Sequence, residues 1–172
     1  MELGRFAAPD TFVLERRLKA PVERVWSYFV DGEKRARWFA GGDTLSAAGQ
    51  AFSILFAHHR ITDETPPERW AAMKNGEFPM AGRVLAFDPP RLLTITFGEE
   101  NVSEVSFALT AIGDETLLTL THTKIETEKA ARDYAGGWTA HVETLAGLLE
   151  GKPTNRFWAS VLAAHEAYEG AA

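Results

Sequence analysis

The amino-acid sequence predicts an α+β fold, in which a curved antiparallel sheet of six or seven strands is covered by one long helix near the C-terminus. Consecutive strand patterns, with no helix between them, run from about residue 41 to residue 125, and a helical pattern of about 23 residues follows. At about 1.5 Å per residue that helix spans roughly 34 Å. Six or seven strands spaced about 4.8 Å apart have a similar width, so one helix can cross the whole sheet.

Composition limits the number of domains and the kinds of partner. The 172 residues, 45% of them hydrophobic, are expected to form a single domain over 1–172, with a core at 11–151 and a helical extension at 152–172. A formal net charge of -6 argues against nucleic acid, because binding a phosphate backbone requires a surplus of Lys and Arg. No apolar run approaches about 18 residues and no secretion pattern is present, so we expect no membrane insertion and a cytoplasmic location. The absence of cysteine excludes disulfides, thiolate zinc sites and cysteine nucleophiles.

One strand and two short helices are predicted at the start of the core. The segment TFVLERRLKA alternates apolar and polar residues, as a half-buried strand does, and Arg16 interrupts its apolar face. Pro21 suits the first position of a helix, and apolar residues recur after it at helical spacing through Phe29. Asp31 can cap a second short helix that runs to about Trp38.

The rest of the sheet is predicted as a series of antiparallel strands. The segment GGDTLSAAGQAFSILFAH indicates two short strands around a glycine turn. Two hairpins follow: GRVLAFDPPRLLTITFG turns at its Asp-Pro-Pro sequence, and EVSFALTAIGDETLLTLTHTKI turns at Gly113-Asp114. Residues 57–79 show no regular pattern beyond one helical turn near Trp70. An irregular connection longer than about 15 residues is typical of a lid or a binding loop.

The long helix is predicted from Thr127 to Leu149, with Gly151 at its end and a last helix after it. Two adjacent glycines, Gly136 and Gly137, stand in its interior, where each costs roughly 1 kcal/mol relative to alanine. One interpretation is that the missing side chains let a neighbouring strand or aromatic ring approach closely. The other is that they leave cavity volume beneath the helix.

Four segments in this order resemble a known superfamily: LERRLKAPVERVWSYFVDGEKRARWF, GRVLAFDPPRLLTITFG, SEVSFALTAIGDETLLTLTH and GGWTAHVETLAGLLEG. They are similar to the helix-grip SRPBCC superfamily, which includes START-like lipid binders, and within it to homologues of the activator of the heat-shock-protein-90 ATPase. The resemblance implies a helix-grip fold with an apolar cavity between the sheet and the long helix. Its members include lipid carriers, hormone receptors and polyketide cyclases. The eukaryotic co-chaperone has a preceding domain that this sequence lacks, so we do not expect a chaperone partner.

From this resemblance we expect the chain to bind a small hydrophobic or amphipathic molecule, without acting as an enzyme, in a cavity between the sheet and the long helix. His122, His141 or Arg16 would orient the ligand. Trp70, with Met73, would either close the mouth as an apolar flap or form a plain packed turn. The apolar walls are predicted to be Phe52, Ile54, Phe56, Ile95, Phe97, Phe107, Leu120, Trp138 and Leu145.

The polar residues also have simpler interpretations. His122 and His141 can be core histidines with hydrogen-bond partners, and Arg16 can pair with a carboxylate. His58 and His59 are expected to be exposed in a loop, because neighbours on an extended segment point to opposite sides and do not share a metal ion. No metal ion and no cofactor are therefore expected.

Two other functions stay open at this stage. A cyclase or hydratase would use a pocket histidine with a bound water, and it would need a carboxylate beside that ring and an open pocket in front of it. A protein-binding regulator becomes the better hypothesis if the chain's own side chains fill the predicted cavity. Phe157 and Trp158 are expected to pack on the protein itself or on the second subunit of a homodimer.

Overall fold

The computed structural model describes residues 1–170, and within that range the chain forms one antiparallel sheet and four α-helices. The strands are β1 (Arg5–Ala8), β2 (Thr11–Leu18), β3 (Gly41–Gly42), β4 (Ala51–Phe56), β5 (Phe78–Asp88), β6 (Leu92–Phe97), β7 (Ser103–Ile112) and β8 (Glu115–Thr123). The helices are α1 (Val22–Val30), α2 (Gly32–Arg35), α3 (Glu128–Leu149) and α4 (Phe157–Gly170). The order across the sheet is β1-β2-β8-β7-β6-β5-β4-β3.

The predicted α+β fold is confirmed, with eight strands instead of six or seven in the part of the chain that the structure describes. The strand that the sequence analysis missed is β1, which pairs with β2 so that Phe6 lies opposite Phe12. A turn at Pro9 and Asp10 joins the two strands. The sequence pattern of this strand was weak because β1 has only four residues, and all of them are exposed. This added strand is the edge of the sheet and becomes one wall of the site described below.

The long helix begins and ends close to its predicted limits. Thr127 accepts a hydrogen bond from the Ala130 N–H through its side-chain oxygen, at 3.0 Å, and so caps the first turn of α3. Gly151 follows the last turn with a φ of +70°, a conformation that glycine adopts without strain. Trp138 and Leu145 on α3 are buried in the same apolar cluster as the inward-facing residues of β6, β7 and β8.

A buried arginine joins α1, α2 and β3. The Arg35 side chain is 3% exposed and donates all its hydrogen bonds to backbone carbonyls. Its Nε lies 2.8 Å from the Ala40 oxygen, and its two terminal nitrogens reach four more oxygens at 2.6–3.2 Å, those of Phe29, Val30, Gly41 and Asp43. Burial lowers the pKa of this guanidinium to about 10, opposed by the charges of Asp31 and Asp43. Nothing in the helical pattern had indicated this role.

The connection between β4 and β5 packs against α4. Its Glu64 carboxylate accepts hydrogen bonds from the Trp158 N–H at 2.8 Å and the Ala159 N–H at 3.3 Å, and so caps α4. Trp70 stacks on Trp158, with 5.6 Å between ring centroids, and the Arg69 guanidinium lies 3.7 Å from the centre of the Trp70 ring. Of the two interpretations of Trp70, the packed turn describes its place in the structure, because its ring covers α4. Over residues 1–170, no helix is long and apolar enough to cross a membrane.

The two glycines of α3 have different surroundings. A Cβ atom on Gly136 would lie 2.5 Å from Cδ2 of His165, whose ring packs against the helix from α4. A Cβ atom on Gly137 would meet no atom of the described chain within 4 Å. The close approach of an aromatic ring therefore explains Gly136, whereas Gly137 faces open space on a partly exposed side of the helix.

These surroundings predict opposite effects of alanine at the two positions. Gly137→Ala should raise the free energy of unfolding by about 0.5–1 kcal/mol, because alanine restricts the unfolded chain and suits a helix interior. Gly136→Ala should lower it by about 1–3 kcal/mol, since the methyl group must displace the His165 ring. Urea denaturation of both variants measures the two changes, and equal effects would contradict the packing of His165 on Gly136.

Candidate functional site

The residues predicted to line a cavity do come together, but they form a closed core. The Trp138 ring centroid lies 5.3 Å from that of Phe97 and 5.7 Å from that of Phe107. A space lined by Ile54, Ile95 and Phe107 amounts to about 10 Å³, close to the smallest volume that holds one water molecule. The buried residues among the predicted walls are Phe52, Ile54, Ile95, Phe97, Phe107, Leu120, Trp138 and Leu145. These residues therefore do not enclose the large interior cavity that was expected between the sheet and α3. Phe56 is the one predicted wall residue that is half-buried.

Phe39 fills most of the expected space. Its ring lies 5.0 Å from Trp138, 5.2 Å from Phe56 and 5.2 Å from His141, measured between centroids. Trp38 stands beside it at 5.4 Å and is fully buried. The sequence predicted Trp38 only as the end of a helix, and Phe39 was not among the predicted wall residues. Periodicity identifies apolar residues, but it does not show where the chain points after α2.

His122 lies in the core with both ring nitrogens hydrogen-bonded. The Trp138 indole N–H donates to His122 Nδ1 at 3.0 Å, so the proton on this ring is on Nε2, which donates to Ser103 Oγ at 2.8 Å. Ser103 in turn donates to the Phe97 carbonyl oxygen at 2.8 Å. Burial lowers the pKa of His122 to about 4, so the ring is neutral at pH 7. With neither a carboxylate partner nor open space beside it, this ring has no geometry for general acid–base catalysis.

His141 and His58 are buried next to each other. His141 Nδ1 donates to the Trp38 carbonyl oxygen at 2.7 Å, and the two imidazole centroids are 5.8 Å apart. His58 was expected to be exposed, and this was wrong: only 6% of it is exposed, and its Nδ1 has no hydrogen-bond partner in the described chain. Burial lowers the pKa of His58 to about 4 and that of His141 to about 3. His59 remains exposed, as predicted.

Arg16 is engaged in ion pairs. Its guanidinium contacts the Glu2 carboxylate and lies 3.2 Å from Glu143 on α3. The side chain is 18% exposed, so it sits at the border of the sheet beneath α3. Arg16 therefore pairs with carboxylates, which was the simpler of its two interpretations.

A large opening lies beside the edge strand β1, next to the start of α3. A half-open groove of about 790 Å³ separates the β1–β2 hairpin from the first turns of α3, with the end of α4 beside it. This volume is within the range of about 300–1,000 Å³ that is usual for small-molecule sites. Its apolar lining is Phe6, Pro9, Ile125, Ala131 and Tyr168, and its charged lining is Arg5, Asp10, Glu126, Glu128 and Arg132. None of the predicted site residues lines this groove.

Three aromatic rings and a short hydrogen-bond chain support the groove. Phe6 lies 5.6 Å from Phe12 and 5.9 Å from Tyr168, between centroids. The Tyr168 hydroxyl accepts a hydrogen bond from the Gly4 N–H at 2.8 Å and donates to Thr139 Oγ1 at 2.8 Å. Burial raises the pKa of Tyr168, so its hydroxyl keeps its proton at neutral pH. These contacts tie the N-terminal segment to α3 and α4.

Part of this groove had a signal in the sequence. The segment GRFAAPDTF places Pro9 and Asp10 between two phenylalanines, a pattern typical of a tight hairpin. The remaining wall had no such signal, because Ile125, Ala131 and Tyr168 are distant from that hairpin in the chain. Only the tertiary packing of α4 against α3 brings Tyr168 to Phe6.

Comparison with known proteins identifies similar chains. Residues 19–150 match the family described as Activator of Hsp90 ATPase homolog 1-like protein. A solution structure from Bordetella parapertussis is 40% identical, has a TM-score of 0.82, and the match covers 96% of this chain and 87% of that one. No curated protein matches this chain.

Two more distant structures share the fold. CalU16 from Micromonospora echinospora is 23% identical with a TM-score of 0.65, over 99% of this chain and 94% of that one. A conserved protein of unknown function from Enterococcus faecalis is 14% identical with a TM-score of 0.69, over 98% and 91%. At these identities the likeness concerns the fold alone.

Proposed function

Because this chain belongs to the family of Activator of Hsp90 ATPase homolog 1-like proteins, whose helix-grip fold is in general a ligand-binding scaffold, we propose that it binds a small apolar or amphipathic molecule in the groove between β1 and α3. The observation that carries this proposal is the 790 Å³ opening beside Phe6 and Tyr168, at a place where the sheet and α3 do not meet. The chain's own side chains occupy the position that the sequence analysis had favoured.

The lining of the groove suits a ligand with an apolar body and a polar end. Phe6, Ile125 and Tyr168 offer apolar contact, which supplies most of the affinity in small-molecule sites. Arg5 and Asp10 stand at the rim, where a few polar groups can orient the bound molecule.

In this proposal the chain binds the small molecule but does not convert it. The buried imidazoles of His58, His122 and His141 do not line the groove, and burial keeps each of them neutral at pH 7. The groove therefore receives no general base from the histidines that a cyclase or hydratase mechanism would use.

A protein-binding regulator is the second candidate, and the filled interior favours it over a carrier with its ligand inside the core. Its test is the ATPase rate of a purified bacterial heat-shock-90 chaperone with and without this chain. A concentration-dependent change in that rate would support the regulator. An unchanged rate, together with dye binding in the groove, would support the ligand binder.

Two phenylalanines of nearly equal exposure allow a matched binding test. Phe6, 41% exposed, lines the groove, whereas Phe78, 40% exposed, is opposite Phe56 at the far edge of the sheet. We expect the uncharged dye Nile red to bind the wild-type chain and the Phe78→Ala variant with dissociation constants that agree within about twofold. Phe6→Ala should weaken binding by about tenfold, because a tenfold change corresponds to about 1.4 kcal/mol of lost apolar contact.

The opposite pattern would place the ligand elsewhere. Weaker binding in Phe78→Ala alone would move the site to the end of the sheet near Phe56 and overturn the groove. Absence of dye binding up to millimolar concentration, together with no co-purifying mass in native mass spectrometry, would overturn the ligand-binding function. Thermal unfolding of both variants shows whether either substitution acts by unfolding the chain.

A further inference from the structure

The N-terminal face is the residue range 1–10 with the open side of the groove, and it carries an unusual share of exposed apolar surface. Over residues 1–170 eight large hydrophobic side chains are exposed, and Met1, Leu3 and Phe6 are three of them. The other five belong to other parts of the chain. Single exposed apolar residues are ordinary on a protein surface, whereas three within the first six residues give this segment an unusual apolar character.

The same face presents an unpaired strand edge. β1 pairs with β2 on one side, and no strand of the described chain pairs with its other side. All four of its residues are exposed, and Ala7 has no partner in β2 because the register shifts there. An edge of this kind offers free backbone N–H and C=O groups to another strand.

Three charges on this face are unpaired, and they are of both signs. Arg5, Asp10 and Glu126 line the groove, and none of them forms an ion pair with another residue in the range 1–170. A chain of net charge -6 repels its own copies unless the touching surfaces carry both signs. When two β1 edges meet antiparallel about a two-fold axis, Arg5 of each copy lies beside the Pro9–Asp10 turn of the other. The face is thus complementary in charge to itself.

We infer that a second copy of this chain docks on the N-terminal face, with the two β1 strands antiparallel, to form a two-fold symmetric dimer. In such a dimer the same surface serves on both subunits, as the mixed charges of this face require. Gly4 and Arg5 also line a shallow depression of about 360 Å³ on the other side of the strand. The second copy supplies the wall that the half-open groove lacks, so the proposed ligand site is complete only in the dimer.

Charge exchange at Arg5 and Asp10 tests the dimer. Light scattering coupled to size-exclusion chromatography, from 1 to 200 µM protein, should show the mass rise from the 19.0 kDa of one chain to twice that value. We expect Arg5→Glu and Asp10→Arg each to weaken association by about tenfold, and the double variant to restore it, because the double exchange rebuilds the pair with reversed signs. Arg156→Glu, at an exposed site away from this face, is the matched control and should associate as the wild type does.

Other outcomes overturn the dimer. A mass of one chain at every concentration removes it, and a dimer that both single variants preserve uses another surface. Failure of the double variant to recover association shows that Arg5 and Asp10 do not pair across the interface. Nile red binding to a chain that stays monomeric would leave the proposed function standing while the dimer fails.

Discussion

Replacing Arg35 by methionine is expected to lower the free energy of unfolding by about 3–5 kcal/mol. The side chain donates to five backbone carbonyl oxygens around the corner of α1, α2 and β3. Methionine fills part of the volume but donates to none of these oxygens, and only the Val30 oxygen has a second donor, the Leu45 N–H at 2.9 Å, among the loop and turn hydrogen bonds of the described chain. Each acceptor left unsatisfied costs about 1–3 kcal/mol unless it reaches water. The backbone around this corner can relax and recover part of the loss, so the expected loss of stability is smaller than the sum of the separate costs.

Lysine at this position should also destabilise the protein, although it keeps the charge. An ammonium group has three donors on a flexible chain, whereas the guanidinium of Arg35 presents five in a fixed plane. We therefore expect Arg35→Lys to lower the free energy of unfolding by about 2–4 kcal/mol.

Arg37 provides the matched control, since it is two residues away and exposed. Arg37→Met should change the free energy of unfolding by less than about 1 kcal/mol. Urea denaturation followed by far-ultraviolet circular dichroism measures all three variants. If Arg35→Met and Arg37→Met prove equally stable, the carbonyl oxygens around Arg35 must find other donors.

Acidification from pH 7.5 to pH 5 is expected to remove about 6 kcal/mol of stability through three buried histidines. In the folded chain the pKa is about 4 for His58, about 4 for His122 and about 3 for His141, whereas an unfolded histidine has a pKa of 6.5. Below pH 6.5 the unfolded chain binds protons that the folded chain refuses, so stability falls as the pH falls. Each histidine contributes about 1.4 kcal/mol per pH unit, or about 2 kcal/mol at pH 5.

Domains of this size have only about 5–15 kcal/mol of stability, so this loss removes a large share of it in mild acid. The slope ends where the folded histidines themselves take up protons, near pH 4 and below. Equilibrium urea unfolding at pH 7.5, 6.5, 5.5 and 5.0 gives the stability at each pH. Between pH 7.5 and 6.5 these three groups should change the stability by only about 1 kcal/mol.

Adjacent histidines offer the control for the acid effect. His58→Phe should reduce the slope below pH 6.5 by about one proton, because His58 makes no hydrogen bond through Nδ1 and stacks on aromatic rings that also suit phenylalanine. His59→Phe should leave the slope unchanged, since His59 is exposed. Identical slopes in the wild type and His58→Phe would mean that His58 is not held neutral by its surroundings.

Local patterns were sufficient for most of the fold. Alternation along β6, β7 and β8 predicted which residues face inward, and the turns at Pro89–Pro90 and Gly113 predicted where the hairpins close. Helical spacing of apolar residues from about Thr127, and the glycine at Gly151, predicted the limits of α3. These features depend on residues that are near one another in the chain, so the order of residue types along the sequence is sufficient to predict them.

Features that depend on distant residues were predicted less well. Phe39, which fills the space under α3, and Arg35, which joins the corner beside it, lie in a segment whose direction after α2 no local pattern specifies. The groove needs Phe6 and Tyr168, which are 162 positions apart.

The sequence by itself determined the elements, their order, and the apolar face that each presents, because those properties follow from local spacing and hydrogen bonding. Only the tertiary structure decided whether the sheet and α3 would leave a void, and where. Ring size and chain direction decide how apolar faces meet, and close packing closes any gap that a side chain can reach. Here Phe39 and Trp138 close the centre, and the opening remains beside β1, where no described side chain fills it.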